Sequence, residues 1–435
     1  MKKKKFNFTF SADNGLVDRR CFLKSGFGVG AGMMVAGANA SEGKYRDDWM
    51  RKPGSGMGES GPSTHESHIK RGNVASQPGT LGSGASRTPL QFLDGIITPS
   101  RLHFERHHSG IPDINPQSHR LFIHGLVDRS LSFSMNDLQR YQHVSRIQFL
   151  ECSGNSGAMI APNAPQRDVS QIHGLVSCSE WGGIPLNILL DEAGIKPEGK
   201  WIVASGADAA VMSRSVPLEK VMDDAIIATH QNGEPIRPSN GYPMRLFLPG
   251  WEGNACVKWL KTIKVTSGPS MTKDETSKYS DLRDDGIAEL FTFPMGVKSI
   301  ITSPSPGLDL LERGIYQISG IAWSGSGKIK QVELSADGGK TWAKAELDSH
   351  VLSKSLTRFR SAWKWNGTQS SLMSRAIDDQ GNIQPNREHW LKGRAINTFY
   401  HYNAIQSWSV NSKGKINNVC CTNGMGLSRR LSKFI

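Results

Sequence analysis

No C-x-x-C pair and no C-x-x-C-H occurs in the 435 residues. The first absence argues against a structural zinc site of the usual spacing, the second against covalent c-type haem. No apolar run reaches the roughly 20 residues that a bilayer span needs, so no membrane-spanning segment is expected. Nothing reads as a nucleic-acid module, so the formal net charge of +13 needs another explanation. Cysteine is scarce: Cys21, Cys152, Cys178, Cys256, Cys420 and Cys421 are all there are.

Part of the basic excess sits in the first 40 residues, where Lys2 to Lys5, Arg19, Arg20 and Lys24 face only Asp13 and Asp18. Asp18-Arg19-Arg20-Cys21-Phe22-Leu23-Lys24 has a twin-arginine pattern, followed by a Gly/Ala-rich, mildly apolar stretch and a small-x-small site, Ala38-Asn39-Ala40. Residues 1–40 therefore read as a twin-arginine signal peptide, with a mature protein in the periplasm. That route carries folded proteins, commonly ones whose cofactor is inserted beforehand. Without Cys21 five cysteines remain, so at least one thiol stands outside any disulfide. Residues 41–94 read as a flexible linker or arm, punctuated by Gly54-Ser55-Gly56, Gly61-Pro62-Ser63 and Gly82-Ser83-Gly84. No function is assigned to it.

The chain is organised around Phe149 to Gly157 (FLECSGNSG). A β-prone run ends in Cys152, and a Gly/Ser/Asn loop follows that lets something bulky approach the thiol. Taken alone, Cys152 is better read as a buried small hydrophobe, and the rest of the chain has to overturn that reading. Upstream, Thr98 to His108 holds three histidines and two arginines. So dense a set of donors suits an anion, or is simply a solvated basic loop. Asp208 closes Gly206-Ala207-Asp208 and reads locally as a turn former. Arg245 opens a short β run, and Lys258 follows a glycine turn after Cys256. Cations bordering Gly-rich loops suit an extended phosphate-bearing cofactor, or a plain surface hairpin. Strands are predicted at 119–127 and 201–206, and helices at 135–141 and 186–193.

In the second half, segments 316–323, 328–335, 341–347, 358–365 and 371–378 alternate at strand period, with a hairpin turn at Asp337-Gly338-Gly339. They predict an immunoglobulin-like sandwich.

Five motifs in order, Phe104 to His108 (FERHH), Glu151 to Asn155 (ECSGN), Gly206 to Asp208 (GAD), Gly241 to Gly250 (GYPMRLFLPG) and Cys256 to Leu260 (CVKWL), resemble the sulfite oxidase family of molybdenum enzymes. The resemblance spans about residues 95–410. It implies an α+β chain: a molybdopterin-binding catalytic domain of mixed α/β structure at 95–280, an all-β immunoglobulin-like dimerisation domain at 281–410, and a tail at 411–435. By the same resemblance Cys152 ligates molybdenum, and Phe104, Glu105, Arg106, His107 and His108 line the pterin and the metal. Asp208, Arg245, Cys256, Val257 and Lys258 contact the pterin, Arg106 binds an oxyanion, Tyr279 is the active-site tyrosine, and Lys392 reaches the substrate from the second domain.

Two positions depart from the family pattern. Gly157 stands where an arginine of the anion pocket is usual, and Asn240 where a histidine is usual. A weaker, roomier anion trap implies a substrate larger than sulfite: sulfane sulfur on a carrier protein. Segments 239–243 and 400–408 resemble the branch of the family that acts in thiosulfate oxidation. With no haem in this chain, electrons leave through a c-type cytochrome subunit, and a homodimer within a hetero-oligomer is implied. A free-standing sulfite dehydrogenase and a cofactor-free scaffold of the same fold remain the alternatives.

Overall fold

The computed structural model describes residues 11–17, 63–74, 81–395 and 398–420. The twin-arginine pair, the cleavage site, residues 41–62 of the arm and Cys421 lie outside the described residues.

Two sheets build the first domain. One joins Val144–Glu151, Val176–Pro185, Ile226–Gln231 and Glu234–Pro235, with Arg245–Phe247 pairing onto Ile226–Gln231. The other runs Leu131–Ser134, Arg120–Gly125, Leu260–Thr266, Trp201–Gly206, Ser213–Pro217, with one parallel pair, between Leu260–Thr266 and Arg120–Gly125. The helix Leu186–Ala193 lies where it was predicted and buries Leu186, Leu189, Leu190 and Ala193, at helical spacing. The helix predicted at 135–141 is shorter, Met135–Leu138, opened by a Ser134/Asp137 capping box.

The second domain is a sandwich. Lys298–Ser303, Gly314–Trp323, Thr357–Trp365 and Glu346–Leu347 form one sheet. Ala343–Lys344, Ile329–Ser335, Ser370–Asp378, Ser407–Val410 and Ile416–Val419 form the other. The segment predicted as one strand at 341–347 is split between the two sheets. The domain also runs past 410. Trp408 pairs with Asn418 across the last hairpin, so residues 411–419 belong to the sandwich rather than to a tail. Val410 and Ile416, both buried, provide the apolar anchor for that hairpin.

The arm also differs from expectation. Gly84–Arg87 pairs antiparallel with Glu105–His107, so the end of the arm is a wall of the catalytic domain. Ser86 is buried and donates to Glu105 at 2.9 Å, which accounts for the ordering of so polar a stretch. Near the other terminus, Leu16 is fully buried against Trp363, whose indole N–H donates to the Asn14 carbonyl at 2.8 Å. No described helix is long and apolar enough to cross a membrane.

The strand Val144–Glu151 lies between the two halves, and its period of two sorts its side chains. Phe149 joins the apolar cluster that also contains Trp323, Trp363 and Trp408 of the sandwich. Leu150 joins the core of the first domain. Glu151 points back to the sandwich side, and Cys152 to the first-domain side. The Glu151 carboxylate is buried and accepts from Lys298 Nζ at 3.1 Å, Trp323 Nε1 at 2.6 Å and Asn155 Nδ2 at 2.9 Å. Lys298 also donates to Ser156 at 2.7 Å, and Ser156 is 2.6 Å from His173.

Removing one partner of such a pair leaves a charge buried without compensation. Lys298→Met should therefore cost about 3–5 kcal/mol of stability in denaturant titration, and Glu151→Gln combined with it should cost less than Lys298→Met alone. An unchanged unfolding midpoint for Lys298→Met would contradict the pairing.

Candidate active site

Gly253 brings two loops together. Its N–H donates to the Glu151 carbonyl at 2.6 Å, and a Cβ there would stand 2.9 Å from the same oxygen. The turn Trp251–Asn254 is thereby laid along the cysteine loop, and Asn254 donates to Ser153 at 2.9 Å and to Glu252 at 2.8 Å.

One cavity collects most of the predicted residues. Phe104, Glu105, Arg106, His108, Cys152, Asp208, Arg245, Cys256, Val257, Lys258 and Tyr279 all line it. His107 does not line it; buried behind it, His107 is a bond partner of Lys258. Lys392 is not brought there. It is exposed just after the helix Arg387–Leu391 and lines neither this cavity nor the one adjoining it. The spacing of segment 390–393 gave its place in the chain but not the direction of the side chain. Sequence reasoning missed Ser239, Asn254 and Trp259 in the lining. Ser239 and Trp259 were within reach, because each adjoins a residue already singled out.

Two cations, Arg245 buried and Lys258 half-buried, dominate the electrostatics. Lys258 Nζ touches the carbonyls of Arg106 and Ser239 at 3.1 and 3.0 Å and His107 Nδ1 at 2.9 Å. Arg245 donates to the carbonyls of Asn240 and Cys256 at 3.0 and 2.8 Å and stacks on Trp181. Burial pushes Lys258 well below its ordinary value and Arg245 down to about 10. Among the described residues neither forms an ion pair. Several buried polar atoms in or beside this cavity also lack partners there: Arg245 Nε, Asn240 Oδ1, Asn254 Oδ1 and His103 Nε2. A buried cation without a counter-charge is costly, as is an orphaned donor or acceptor. An anionic, hydrogen-bonding ligand satisfies both.

Arg106, His108, Cys152 and Tyr279 also line the second, adjoining cavity of about 220 Å³. His108 Nε2 and Tyr279 Oη are 2.6 Å apart. Burial holds the Tyr279 phenol well above its usual range and pushes His108 down to about 3, so Tyr279 donates to a neutral imidazole. Tyr279 has φ +50°, an uncommon backbone for a bulky residue and one found where a site holds its side chain. Glu105 is drawn down to about 2: burial opposes its charge, but His107, Arg71 and Ser86 outweigh it. Cys152 is the one cavity thiol beside Arg106, and burial raises it. Among the described residues no three His, Cys, Asp or Glu side chains are placed to hold a metal ion. A metal at Cys152 would thus draw its other ligands from a bound organic group.

Residues 108–273 match the oxidoreductase molybdopterin-binding domain and 290–408 the Mo-co oxidoreductase dimerisation domain. These define a molybdopterin-dependent oxidoreductase of two domains. The crystal structure of the sulfane dehydrogenase SoxCD from Paracoccus pantotrophus superposes with a TM-score of 0.84 at 41% identity, covering 86% of this chain and 97% of that one. Sulfite oxidase of Gallus gallus is 29% identical over 345 residues, 72% of this chain and 74% of its own. Mitochondrial sulfite oxidase of Mus musculus is 28% identical over 330 residues, 69% of this chain. The chain spans 59% of the length of that mouse protein. This protein belongs to the sulfite oxidase family of molybdoenzymes.

The residues present fit the cofactor. Lys258 and Arg245 would supply positive charge for its phosphate, the orphaned Asn and Arg atoms match a polar pterin, and Cys152 offers a soft thiolate for molybdenum. Lys258→Met should lower molybdenum per purified chain severalfold; undiminished content would contradict this placement.

A second outcome concerns pH. His401 Nε2 lies 3.1 Å from Glu252 and its Nδ1 3.4 Å from Asp281. Burial opposes its charge, but bonds to Asp281 and Glu252 outweigh it and raise His401 to about 9. Its contribution to stability is whole below the ordinary histidine value of 6.5 and is lost as pH rises through about 9. Thermal scans from pH 6.5 to 9.5 should show a loss of stability in the wild type that His401→Gln flattens; equal slopes would contradict the network.

Proposed function

We propose that this protein is a periplasmic sulfane dehydrogenase subunit. Exported by the twin-arginine route, it oxidises carrier-bound sulfane sulfur during thiosulfate oxidation and passes electrons to a c-type cytochrome subunit. The reading is supported by one observation above all. A cysteine, an arginine and a tyrosine converge on a cavity whose inner cations, Lys258 and Arg245, form no ion pair among the described residues, and the sulfane dehydrogenase SoxCD has the same fold at 41% identity. The dimerisation domain favours a homodimer within a larger assembly.

Bound at Cys152, the molybdenum cofactor supplies oxygen-atom transfer to sulfur and accepts the electron pair. The chain's own residues do the rest. Lys258 and Arg245 would hold the cofactor's phosphate. Arg106, its backbone paired with Ala85 of the arm, faces the charge that develops on the substrate oxygens. Tyr279 Oη carries a proton that the phenol does not release at neutral pH, and His108 orients it.

Position 157 supports a substrate larger than sulfite. A Cβ on Gly157 would stand 2.6 Å from the Phe399 ring, and one on Gly154 at 2.8 Å. An aromatic face thus lies where a cation would otherwise help trap a small dianion, and it suits the uncharged arm of a carrier.

The test is turnover with cytochrome c as acceptor, on free sulfite and on a peptide bearing sulfane sulfur on cysteine, with molybdenum measured in parallel. About one molybdenum per chain and a higher kcat/KM for the peptide are expected. Free sulfite proving far better would establish the free-standing sulfite dehydrogenase instead. Absence of both metal and turnover would establish the scaffold.

A further inference from the structure

The arm strand Gly84–Arg87 was given no role by its composition, yet it forms one wall of the outer cavity. Strand alternation decides which of its side chains face the site. Ser86 turns away, buried on Glu105, while Ala85 and Arg87 line the cavity. Across from them stands Phe399, whose ring covers Gly154 and Gly157. An arginine at 157 could not be accommodated unless that ring moved.

Arg87 is half-buried, and its Nε is buried without a hydrogen-bond partner among the described residues. It forms no ion pair there either. The cavity holds two further cations, Arg106 and Lys278, and no carboxylate among its lining. Burial lowers Arg87, the Cys152 thiol opposes this, Arg167 adds like charge, and Asp168 forms no ion pair with it among the described residues. A guanidinium placed in this way is set to bind an anion through its fork.

We infer that Arg87 binds the anionic end of the substrate, supplying from the arm the second cation that position 157 lacks. This rests on the reading of the site as one for oxidised or sulfane sulfur on a carrier. It adds that the sulfur end is held between Arg87 and Arg106, while Phe399 meets the uncharged arm. Arg87 is therefore a specificity-determining residue, and residues 84–87 belong to the active site.

The experiment measures inorganic sulfate binding to the molybdenum-loaded protein by calorimetry, for wild type, Arg87→Gln and Arg87→Lys. Arg87→Gln should weaken sulfate roughly 10- to 100-fold, the loss of one charge-assisted hydrogen-bonded contact. Lysine keeps the charge without the fork, so Arg87→Lys should fall between. With the sulfur-bearing peptide, KM should rise in the same order while kcat changes less. Sulfate affinity of Arg87→Gln or Arg87→Lys equal to wild type, at equal molybdenum content, would overturn the assignment. Should Arg87→Gln fail to accumulate folded, Arg87→Lys carries the same test. Failure of the functional reading is distinguishable. Wild type that binds sulfate through Arg87 yet oxidises no sulfur compound would sink the activity and leave this contact standing.

Discussion

One buried carboxylate ties this molecule together. Glu151 ends the strand that carries the reactive thiol, and its oxygens are claimed by Lys298 and Trp323 of the sandwich and by Asn155 of the thiol loop. A carboxylate so buried is tolerable only with its partners in place. The second domain is therefore part of the active site's scaffold as well as a dimerisation module. A strand's alternation does the rest: with Glu151 committed to the sandwich, Cys152 has only the cavity to face. The backbone of the same loop is clamped a second time, where His401 N–H donates to the Ser153 carbonyl at 2.8 Å.

The cavity is electrostatically unfinished by its own residues. Arg245 is buried and Lys258 half-buried; both bond to carbonyls, and among the described residues neither forms an ion pair and polar atoms around them lack partners. Contrast Arg214, fully buried, which meets Glu252 at 2.9 Å and Glu275 at 3.0 Å. Arg214 is structural because its charge is answered within the chain. Lys258 and Arg245 form no such pair among the described residues, which leaves their charge available to a bound anion. A ligand that binds the folded state and answers those charges also stabilises it.

Much of this was legible in the chain, for physical reasons. The strand at 201–206 and the helix at 186–193 announce themselves by periodicity, and so does most of the sandwich. The motif residues converge because each borders a Gly-rich loop that approaches a large ligand closely. What escaped has equally physical causes. Gly84–Arg87 has the composition of a linker and becomes a strand only by pairing with Glu105–His107, a long-range event that no local pattern records. Residues 411–419 look like a tail because Asn, Lys and Gly dominate them, yet Ile416 and Asn418 are buried against the sandwich. Lys392 was placed by position alone, and a one-residue difference in a loop swings a side chain to solvent. Lys298 and Phe399 carried no signal, since the contacts that give them their roles are with Glu151, Gly154 and Gly157, each more than 140 positions away.

The account stands on the Cys152 thiolate being a ligand of molybdenum. X-ray absorption at the molybdenum edge tests this most directly, comparing wild type with Cys152→Ser in metal-loaded protein. The predicted result is one fewer sulfur scatterer around the metal in the variant, with the remaining sulfurs unchanged. An identical sulfur shell in the two proteins would show that the thiol does not reach the metal, and the central claim would fall.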